Sequence, residues 1–441
     1  MRHVPRYLYG RQKIRVESKE KKILIISYYW PPSGGSGVQR WMYFAKYLKA
    51  FGWEPYILTV DENSASYSVL DQSLLSEINN IPTTRTKTIE PLKWYSRLNS
   101  GSSYDGIPQG SVTTKTVFGK LTAFIRGNFF VPDARKGWRP FALNAAQKLI
   151  KDFGIDKVVT TGPPHSSHKV GAQLQQRFGL KWFVDLRDPW VTVFYNKQLY
   201  RTSWAVKNDK KQERKIILKA DAVITTLAGG FHRYLKNIAP NQNFLIIPNG
   251  YDTELMNTVT SQKYTEFHVV FTGLLTKNHD YSGLLSVLEE LQDEHSICIS
   301  FAGQIQYEIL TEFKVKLKNA RIIEHGYISH YKAIELMKSA DLLLNFIFSG
   351  AQNDMISGKT LEYIATKKPI LSIGNPDSEA GKFIMQGTAA KMIEAFRAVE
   401  IKQFIKHIIE GKGHITNNFP NIENWSRKAL TEKLEKFLLD S

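Results

Sequence analysis

The feature of this sequence that most constrains its fold is a regular alternation of short apolar segments with segments of helical spacing. Residues 23–27 begin with four consecutive apolar side chains, and a continuous run of this kind is typical of a strand buried on both faces. Residues 38–50 follow with apolar side chains at helical spacing. Such a succession is typical of βαβ units, whose strands form a parallel sheet covered by helices.

The alternation is interrupted once, at the polar stretch 251–266. Further strands are expected at 55–60, 158–161, 182–186, 222–226, 244–247, 269–272, 297–302, 322–324, 342–345 and 370–372. Further helices are expected at 167–178, 205–219, 281–291, 331–338, 360–365, 379–383 and 422–439. We therefore predict two doubly wound α/β domains, at 23–250 and 267–421, joined by a linker at 251–266. A basic tail at 1–22 precedes them and a helix at 422–441 closes the chain. The cleft between such domains is the expected active site.

The positive charge of the chain is confined to its first half. The whole sequence has a net charge of +18, and residues 1–250 carry 38 Lys and Arg against 17 Asp and Glu, a net of +21. Residues 251–441 carry 21 against 24, a net of −3. A basic half of this kind indicates an anionic membrane, a nucleic acid or an anionic substrate as its partner.

Composition also constrains the compartment. A hydrophobic fraction of 42% and a charged fraction of 23% exclude a largely disordered chain. The longest apolar runs are far shorter than the ~20 residues of a membrane span, and no apolar segment follows the basic start as in a signal peptide. The single cysteine, Cys298, fits a reducing compartment. We expect a cytoplasmic protein without a transmembrane helix.

Two loops that follow predicted strands contain candidate binding groups. The glycine-rich loop 31–37, with Gly34 and Gly35, precedes a helix, so its backbone N–H groups are placed to hold an anion; the alternative is a tight turn that needs glycine for its shape. In the loop 160–168, His165 is a candidate for a ligand hydroxyl or a phosphate. Its spacing to His168 also permits a metal pair, but no carboxylate or cysteine accompanies them, and a structural role is the alternative.

Two further motifs carry charged candidates. At 185–190, Asp188 is a candidate for a substrate hydroxyl, while Arg187 between two carboxylates is commonly a self-satisfied ion-pair cluster. At 357–370, Lys359 and Glu362 lie three residues apart at a helix start, hence on one face. Lys359 with the helix dipole suits a diphosphate, and Glu362 suits the vicinal hydroxyls of a ribose. The alternative is a surface ion pair between the two.

A basic amphipathic helix is predicted near residues 114–130. Apolar residues recur there at helical spacing, including Phe124, among basic residues that include Lys120 and Arg126. A basic helix with an aromatic end is typical of an element at the membrane interface. The alternative is a helix packed on its own domain. Because a Ser- and Gly-rich stretch precedes it, we predict that 99–140 is a mobile, membrane-facing insertion.

Taken together, the motifs resemble those of the large retaining glycosyltransferase family often called family 4, whose fold of two Rossmann-like domains facing a cleft is known as GT-B. The resemblance rests on these segments in family order, covering most of the chain: Ser-Tyr-Tyr-Trp-Pro-Pro-Ser-Gly-Gly at 27–35, Gly-Pro-Pro-His-Ser-Ser-His at 162–168, Asp-Leu-Arg-Asp-Pro-Trp at 185–190, Ile-Pro-Asn-Gly-Tyr-Asp at 247–252, Phe-Thr-Gly at 271–273, and Lys-Thr-Leu-Glu-Tyr-Ile-Ala at 359–365 with Lys-Pro at 368–369.

The resemblance implies a metal-independent transferase with no cofactor, which uses a nucleotide-diphosphate sugar. The second domain is implied to bind the donor, with Gly273 at the phosphate loop, Lys359 and Thr360 at the diphosphate and Glu362 at the ribose. The first domain is implied to bind the acceptor, with Gly34 and Gly35 near the reacting centre and His165 near the donor sugar. Asp188 and Asp354 join His165 as candidate catalytic residues. The sequence departs from the family twice: Asp354 stands where a glutamate is usual, and the basic residue after Gly273 is missing, with Lys277 as its candidate substitute.

The charge and the interfacial helix together predict the acceptor and the location. We expect a glycan acceptor, lipid-linked or a polysaccharide precursor, and peripheral association with the inner face of an anionic membrane. Within enzymes, the alternatives are a GT-B-like nucleotide-sugar epimerase or hydrolase. Outside enzymes, they are a non-catalytic scaffold or a basic binding protein. We expect no nucleic-acid partner, because the sequence contains no RNP, KH, zinc-finger or helix-turn-helix pattern.

Overall fold

The structure of the chain, a computed structural model, describes residues 20–67, 69–90, 117–226, 228–347 and 356–441. The first sheet is made of seven strands of the described residues, which are β1 Lys21–Ile26, β2 Trp53–Val60, β3 Thr83–Thr86, β4 Lys157–Gly162, β5 Lys181–Leu186, β6 Ala222–Thr225 and β7 Phe244–Ile246. The helices around and after it are α1 Ser36–Ala50, α2 Val117–Phe129, α3 Arg139–Phe153, α4 His168–Phe178, α5 Ser203–Lys219, α6 Gly229–Ile238 and α7 Thr253–Thr258.

A second sheet is made of six strands of the described residues, which are β8 Phe267–Leu275, β9 Ile297–Ile305, β10 Arg321–Gly326, β11 Leu342–Phe346, β12 Ile370–Ile373 and β13 Ala390–Ile393. Its helices are α8 Ser282–Leu291, α9 Tyr307–Lys316, α10 His330–Ser339, α11 Gly358–Ala365, α12 Glu379–Ile384, α13 Ala398–Glu410 and α14 Arg427–Asp440.

Both sheets are wholly parallel and share one topology. Their strand orders are β3-β2-β1-β4-β5-β6-β7 and β10-β9-β8-β11-β12-β13. In each, the chain starts in the middle, runs to one edge and returns to fill the other, which is the doubly wound arrangement. The predicted fold class is therefore confirmed. Ligands of this fold bind where the strand order reverses, which places the candidate sites beyond the ends of β1 and β4 and of β8 and β11.

The central strands are buried on both faces, as their continuous apolar runs predict. In β1, Leu24 and Ile26 belong to one core layer while Ile23 and Ile25 belong to the layer on the opposite face. The four side chains have no exposed area. A helix layer therefore covers each side of the sheet.

The C-terminal helix α14 packs on the first sheet, although the second sheet precedes it in sequence. Its Leu430, Leu434 and Leu438 lie on one helical face and share a core cluster with Ile23 and Ile25 of β1. The helix begins at Arg427 because the side chain of Ser426 accepts a hydrogen bond from the Ala429 N–H. The predicted helix at 422–439 therefore consists of a 3-10 turn, Ile422–Trp425, followed by α14.

Several elements were not expected from the sequence. The strands β3 and β13 lie at the edges of their sheets, where a strand does not need a continuous apolar run. The helices α3, α6, α7, α9 and α13 were missed as well, and α7 lies inside the predicted linker. Strand β1 begins at Lys21, two residues before the predicted start. Of the predicted insertion 99–140, residues 99–116 lie outside the described residues, as do residues 1–19 of the predicted tail.

Candidate active site

Two adjoining cavities lie between the carboxyl edges of the two sheets. The small cavity has a volume of about 180 Å³ and the large cavity about 400 Å³. Both are lined by Gly35 from the first domain and by Gly273, Gly303 and Tyr327 from the second. They therefore form one continuous space across the cleft, at the place that the doubly wound topology predicts for ligands.

The glycine loop of the first domain lies directly against the second domain. A Cβ at Gly34 would lie 2.5 Å from the hydroxyl oxygen of Tyr327, so a larger residue would displace the Tyr327 side chain. Gly35 has φ of +92°, which favours glycine, and it precedes the first residue of α1. Gly34 lines the large cavity and Gly35 lines both.

Gly273 and Gly303 allow the ends of β8 and β9 to approach each other in front of the cavities. Their φ values are +122° and +114°, and a Cβ at Gly303 would lie 2.2 Å from the carbonyl oxygen of Gly273. A Cβ at Gly273 would lie 3.5 Å from Nζ of Lys359. The absence of side chains at these two positions therefore leaves open the space that Lys359 faces.

Lys359 is a half-buried cation whose side chain lines the small cavity. Nζ donates to the carbonyl oxygen of Thr272 at 3.3 Å and lies 4.4 Å from the ring centre of Phe271. Burial lowers the pKa of Lys359 to about 7. No carboxylate within the described residues forms an ion pair with it, so an anionic ligand would supply the missing partner.

The neighbouring Thr360 contacts the side chain of Ser357 and does not face a cavity. Its hydroxyl lies 2.9 Å from that of Ser357, and its backbone N–H donates to the Ser357 side chain. This N-cap starts α11 and orients Lys359 and Glu362 toward the small cavity. Thr360 itself does not line either cavity.

Glu362 is held by partners from two other elements. Its Oε1 accepts from Nε2 of His330 at 2.8 Å and from Nη2 of Arg427 at 3.1 Å. Burial alone would raise the pKa of Glu362, but His330 and Arg427 outweigh it and keep the pKa below its ordinary value. The alternative of a surface pair between Lys359 and Glu362 is wrong, because Glu362 is buried and pairs with these other residues.

The charged motif at 185–190 is divided between two environments. Asp185 is fully buried and accepts from Arg40, from Nε1 of Trp41 at 2.7 Å and from Oγ1 of Thr161 at 2.7 Å. Its ion pair is with Arg40, at 3.0 Å, and not with Arg187.

Arg187 and Asp188, the rest of that motif, line the large cavity. Arg187 donates to the backbone carbonyls of Gly37, Gly162 and Pro163, so the expected ion-pair cluster around Arg187 is not what holds the motif. Burial raises the pKa of Asp188, although Arg187 opposes the shift. A carboxyl group with a raised pKa in a cavity can both donate to and accept from a hydroxyl.

His165 lies in an aromatic stack. Its ring is parallel to that of Trp190, with 4.8 Å between centres, and His168 contacts Oγ1 of Thr160 at 2.9 Å. Burial holds the pKa of His165 well below its ordinary value and lowers that of His168 to about 3, so both rings are neutral. His165 does not line either cavity. No group of three metal-ligating side chains occurs in the part of the chain that the structure describes.

The remaining predicted residues lie elsewhere. Nζ of Lys277 pairs with Glu308 at 3.4 Å on the surface, and Lys277 does not line either cavity. Asp354 lies outside the described residues. The cavity residues that the sequence did not point to include Tyr327, His330, Arg135 and Arg427. No local sequence pattern marks these residues, because each reaches the cleft from a loop or a helix end that is distant in sequence from the predicted motifs.

No protein-family model matches the chain, and no curated protein matches it. Solved structures do resemble it over nearly the whole length. Sucrose-phosphate synthase from Thermosynechococcus elongatus is 14% identical, with 95% of this chain and 98% of that chain covered and a TM-score of 0.62. The HepE protein of Anabaena, solved in complex with UDP-glucose, is 12% identical, with 95% and 100% covered and a TM-score of 0.59. A glycosyltransferase from Rickettsia africae is 14% identical, with 96% and 99% covered and a TM-score of 0.56.

These likenesses show the fold. The chain has two Rossmann-like domains that face a cleft, which is the GT-B architecture of glycosyltransferase structures. Membership of family 4 stays a prediction, as do the roles of the individual site residues.

Proposed function

We propose that this chain is a glycosyltransferase that moves a sugar from a nucleotide-diphosphate sugar to an acceptor with retention of configuration. The observation that carries the proposal is the small cavity, where Lys359 and Glu362 lie on one helix end at the carboxyl edge of the second sheet. A half-buried ammonium group without an ion pair among the described residues suits a diphosphate, and an ionised carboxylate suits the two hydroxyls of a ribose. The two groups together match the diphosphate and the adjoining ribose of a nucleoside diphosphate.

In this proposal Lys359 and the start of α11 stabilise the leaving diphosphate. Lys359 is protonated when the diphosphate binds, because the negative charge of the ligand favours the ammonium form. Because Gly273 and Gly303 have no side chains, the backbone there leaves space for the phosphates beside Lys359. A cation and a helix N-terminus supply the positive charge that a metal ion supplies in other enzymes, and we therefore propose that transfer needs no metal.

The large cavity is the proposed acceptor site. It is lined by Asp188, Arg187 and Arg135 from the first domain and is continuous with the small cavity at Gly35 and Tyr327. Asp188 is placed to bind a sugar hydroxyl. Arg135 is already paired with Glu90, whereas Arg187 has backbone carbonyls as its hydrogen-bond partners. The charge of Arg187 therefore favours an acceptor with anionic character, such as a lipid-linked glycan phosphate. The reacting carbon would lie at the junction of the cavities.

A binding and turnover screen tests the proposal. UDP-sugars are the first donors to test, because the similar Anabaena protein is described with UDP-glucose; GDP- and ADP-sugars follow. We expect one nucleotide sugar to raise the melting temperature of the wild type but not of Lys359→Ala, whose missing group lies in the small cavity. Binding of none of these donors would contradict the proposal.

The same screen separates the enzyme alternatives. A transferase needs an acceptor for rapid turnover, whereas an epimerase or a hydrolase converts the donor alone. NMR of the product anomer then tests retention. Rapid conversion of the donor to an epimer, or to free sugar at a rate that no acceptor increases, would favour the alternatives over the transferase.

We also propose that α2 docks on the inner face of an anionic membrane. This helix packs on its own domain through small and polar residues: Ala123 and Asn128 are buried, and a Cβ at Gly127 would lie 2.5 Å from the carbonyl oxygen of Leu199. Its apolar residues face outward instead, with exposed fractions of 53% for Leu121, 38% for Phe124, 39% for Ile125 and 67% for Phe129.

This arrangement inverts the usual amphipathic pattern, in which the apolar stripe faces the core. Tyr200, whose carbonyl accepts from Asn128, and Trp204 are exposed beside the helix, and such aromatic residues favour the membrane interface. The net charge of +21 on residues 1–250 makes an anionic bilayer the complementary surface. No helix of the described residues is long and apolar enough to cross a membrane.

Co-sedimentation with vesicles tests the docking. We expect the wild type to bind phosphatidylglycerol vesicles in low salt, and to bind less in high salt or with neutral phosphatidylcholine. Phe124→Asp with Lys120→Glu should weaken binding about tenfold or more, because each basic residue contributes about 1 kcal/mol and apolar burial adds to it. The matched control, Phe396→Asp with Lys433→Glu, changes exposed residues of the second domain and α14. Equal binding by both variants, or self-association through α2 in its place, would contradict the proposal.

A further inference from the structure

Arg427 enters the small cavity from an element that belongs to the other half of the molecule. It is the first residue of α14, which packs on the first sheet, and only 3% of its area is exposed. Its backbone N–H donates to the carbonyl of Tyr251 at 2.8 Å, in the segment that connects the two sheets. The chain passes between the two domains twice, once at the segment of Tyr251 and once before α14. The two passages meet at Arg427, whose side chain lines the small cavity.

The first domain holds the guanidinium group of Arg427 at two points. Nη2 donates to Oε1 of Gln39 at 2.7 Å, and Cζ lies 3.8 Å from the ring centre of Tyr43. Gln39 and Tyr43 lie one turn apart on α1, so the helix presents both contacts on one face. A cation stacked on a buried ring and bonded in its plane has a fixed orientation.

From this position the same Nη2 reaches Glu362 in the second domain, at 3.1 Å from Oε1. His330 donates to that same oxygen. The two donors therefore fix the rotation of the carboxylate through Oε1 and leave Oε2 outside these two contacts. Both also favour the ionised form of Glu362, which would otherwise be destabilised by burial.

We propose that Arg427 is a positioning residue that orients Glu362 for the vicinal hydroxyls of the nucleotide's ribose. This inference rests on the proposed function. Because α1 fixes Arg427, the donor site of the second domain is complete only when the first domain and α14 are docked against it. The first domain thereby contributes to donor binding without a contact of Arg427 to the donor.

A direct contact of Arg427 to the diphosphate is the rival role. Its Nε and Nη1 are buried and have no hydrogen-bond partner within the described residues. These N–H groups are therefore available to donate to a phosphate oxygen. The two roles differ in which part of the nucleotide they serve. Positioning of Glu362 affects only nucleotides with ribose hydroxyls, whereas a phosphate contact affects every nucleoside diphosphate.

A double-mutant cycle separates the two roles. Whichever of UDP, GDP and ADP binds the wild type most tightly is titrated by calorimetry, together with its 2′,3′-dideoxy analogue. We expect Arg427→Gln to weaken binding of the ribonucleotide about tenfold, as for loss of a charge-assisted hydrogen bond, and to leave the dideoxy analogue unchanged. In the Glu362→Gln background, Arg427→Gln should have no further effect, because the group that it positions is already lost.

Two further variants keep the test valid if Arg427→Gln unfolds. Gln39→Ala removes only the contact from α1 and should give a smaller loss with the same preference for the ribonucleotide. Arg427→Lys should restore part of the affinity. Equal weakening of both probes, or an additive effect in the Glu362→Gln background, would overturn the inference while the proposed function stands. Binding of none of the three nucleotides by the wild type would overturn both.

Discussion

The most diagnostic prediction concerns Lys359, whose charge depends on pH near neutrality. Burial lowers its pKa to about 7 in the free protein, and the diphosphate binds the protonated form. Above pH 7, binding therefore requires proton uptake, and the affinity falls as the pH rises. Between pH 7 and 8.5 the charged fraction of a group with this pKa falls from about one half to about 3%, so the dissociation constant should rise roughly fifteenfold.

Calorimetry in buffers of different ionisation enthalpy measures both the affinity and the proton uptake. At pH 8.5 we expect nearly one proton taken up per nucleoside diphosphate bound, and none for the uncharged nucleoside, which serves as the ligand control. Lys359→Arg keeps its charge throughout this range and should bind with little dependence on pH. A wild-type affinity that does not change between pH 7 and 8.5, or Lys359→Met binding as tightly as the wild type, would refute the assignment of Lys359 to the diphosphate.

Three other predictions follow from the same cleft. Glu362→Gln should weaken binding of a ribonucleoside diphosphate about tenfold while the dideoxy analogue binds as before, as measured by calorimetry; the same loss for both would contradict the ribose contact. Transfer should continue in EDTA, because Lys359 and the start of α11 stabilise the diphosphate, and a strict Mg²⁺ or Mn²⁺ requirement in a product assay would contradict this. Gly303→Ala should lower the free energy of unfolding by about 2 kcal/mol or more and abolish donor binding, because its Cβ would meet the Gly273 carbonyl at 2.2 Å. The control is Gly154→Ala, which is also at positive φ but has open space around it. It should lower the free energy of unfolding by only about 1 kcal/mol in denaturant melts and leave binding intact.

The sequence alone was sufficient to predict the fold class, because the residues of a central strand themselves indicate that the strand is buried. Strands such as β1 and β8 are buried on both faces and therefore read as continuous apolar runs, and their alternation with helical segments implies a parallel doubly wound sheet. Edge strands such as β3, with the sequence Thr-Thr-Arg-Thr, have only intermediate burial and no such run. The position of β3 was decided by its pairing with β2, which no local pattern encodes.

The candidate site divides in the same way. Lys359 and Glu362 could be placed together from the sequence, because a spacing of three at a helix start puts two side chains on one face whatever the rest of the chain does. The glycines at 34 and 35 were recognised because a loop between strand and helix often needs glycine for its backbone conformation, whereas Gly273, inside β8, was implied only by the resemblance. These are properties of a few consecutive residues.

Only the tertiary structure decided which groups surround that pair. Arg427 lies 65 residues from Glu362, and its contact depends on α14 returning to the first sheet. Asp185 pairs with Arg40 across the first domain and not with its neighbour Arg187, whereas His165 turns into a stack with Trp190. Periodicity and spacing indicate the buried central strands and the face on which neighbouring residues of a recognised helix lie. Partners that are far apart in sequence are chosen by packing, since two distant segments meet only once the whole chain has buried its apolar surface.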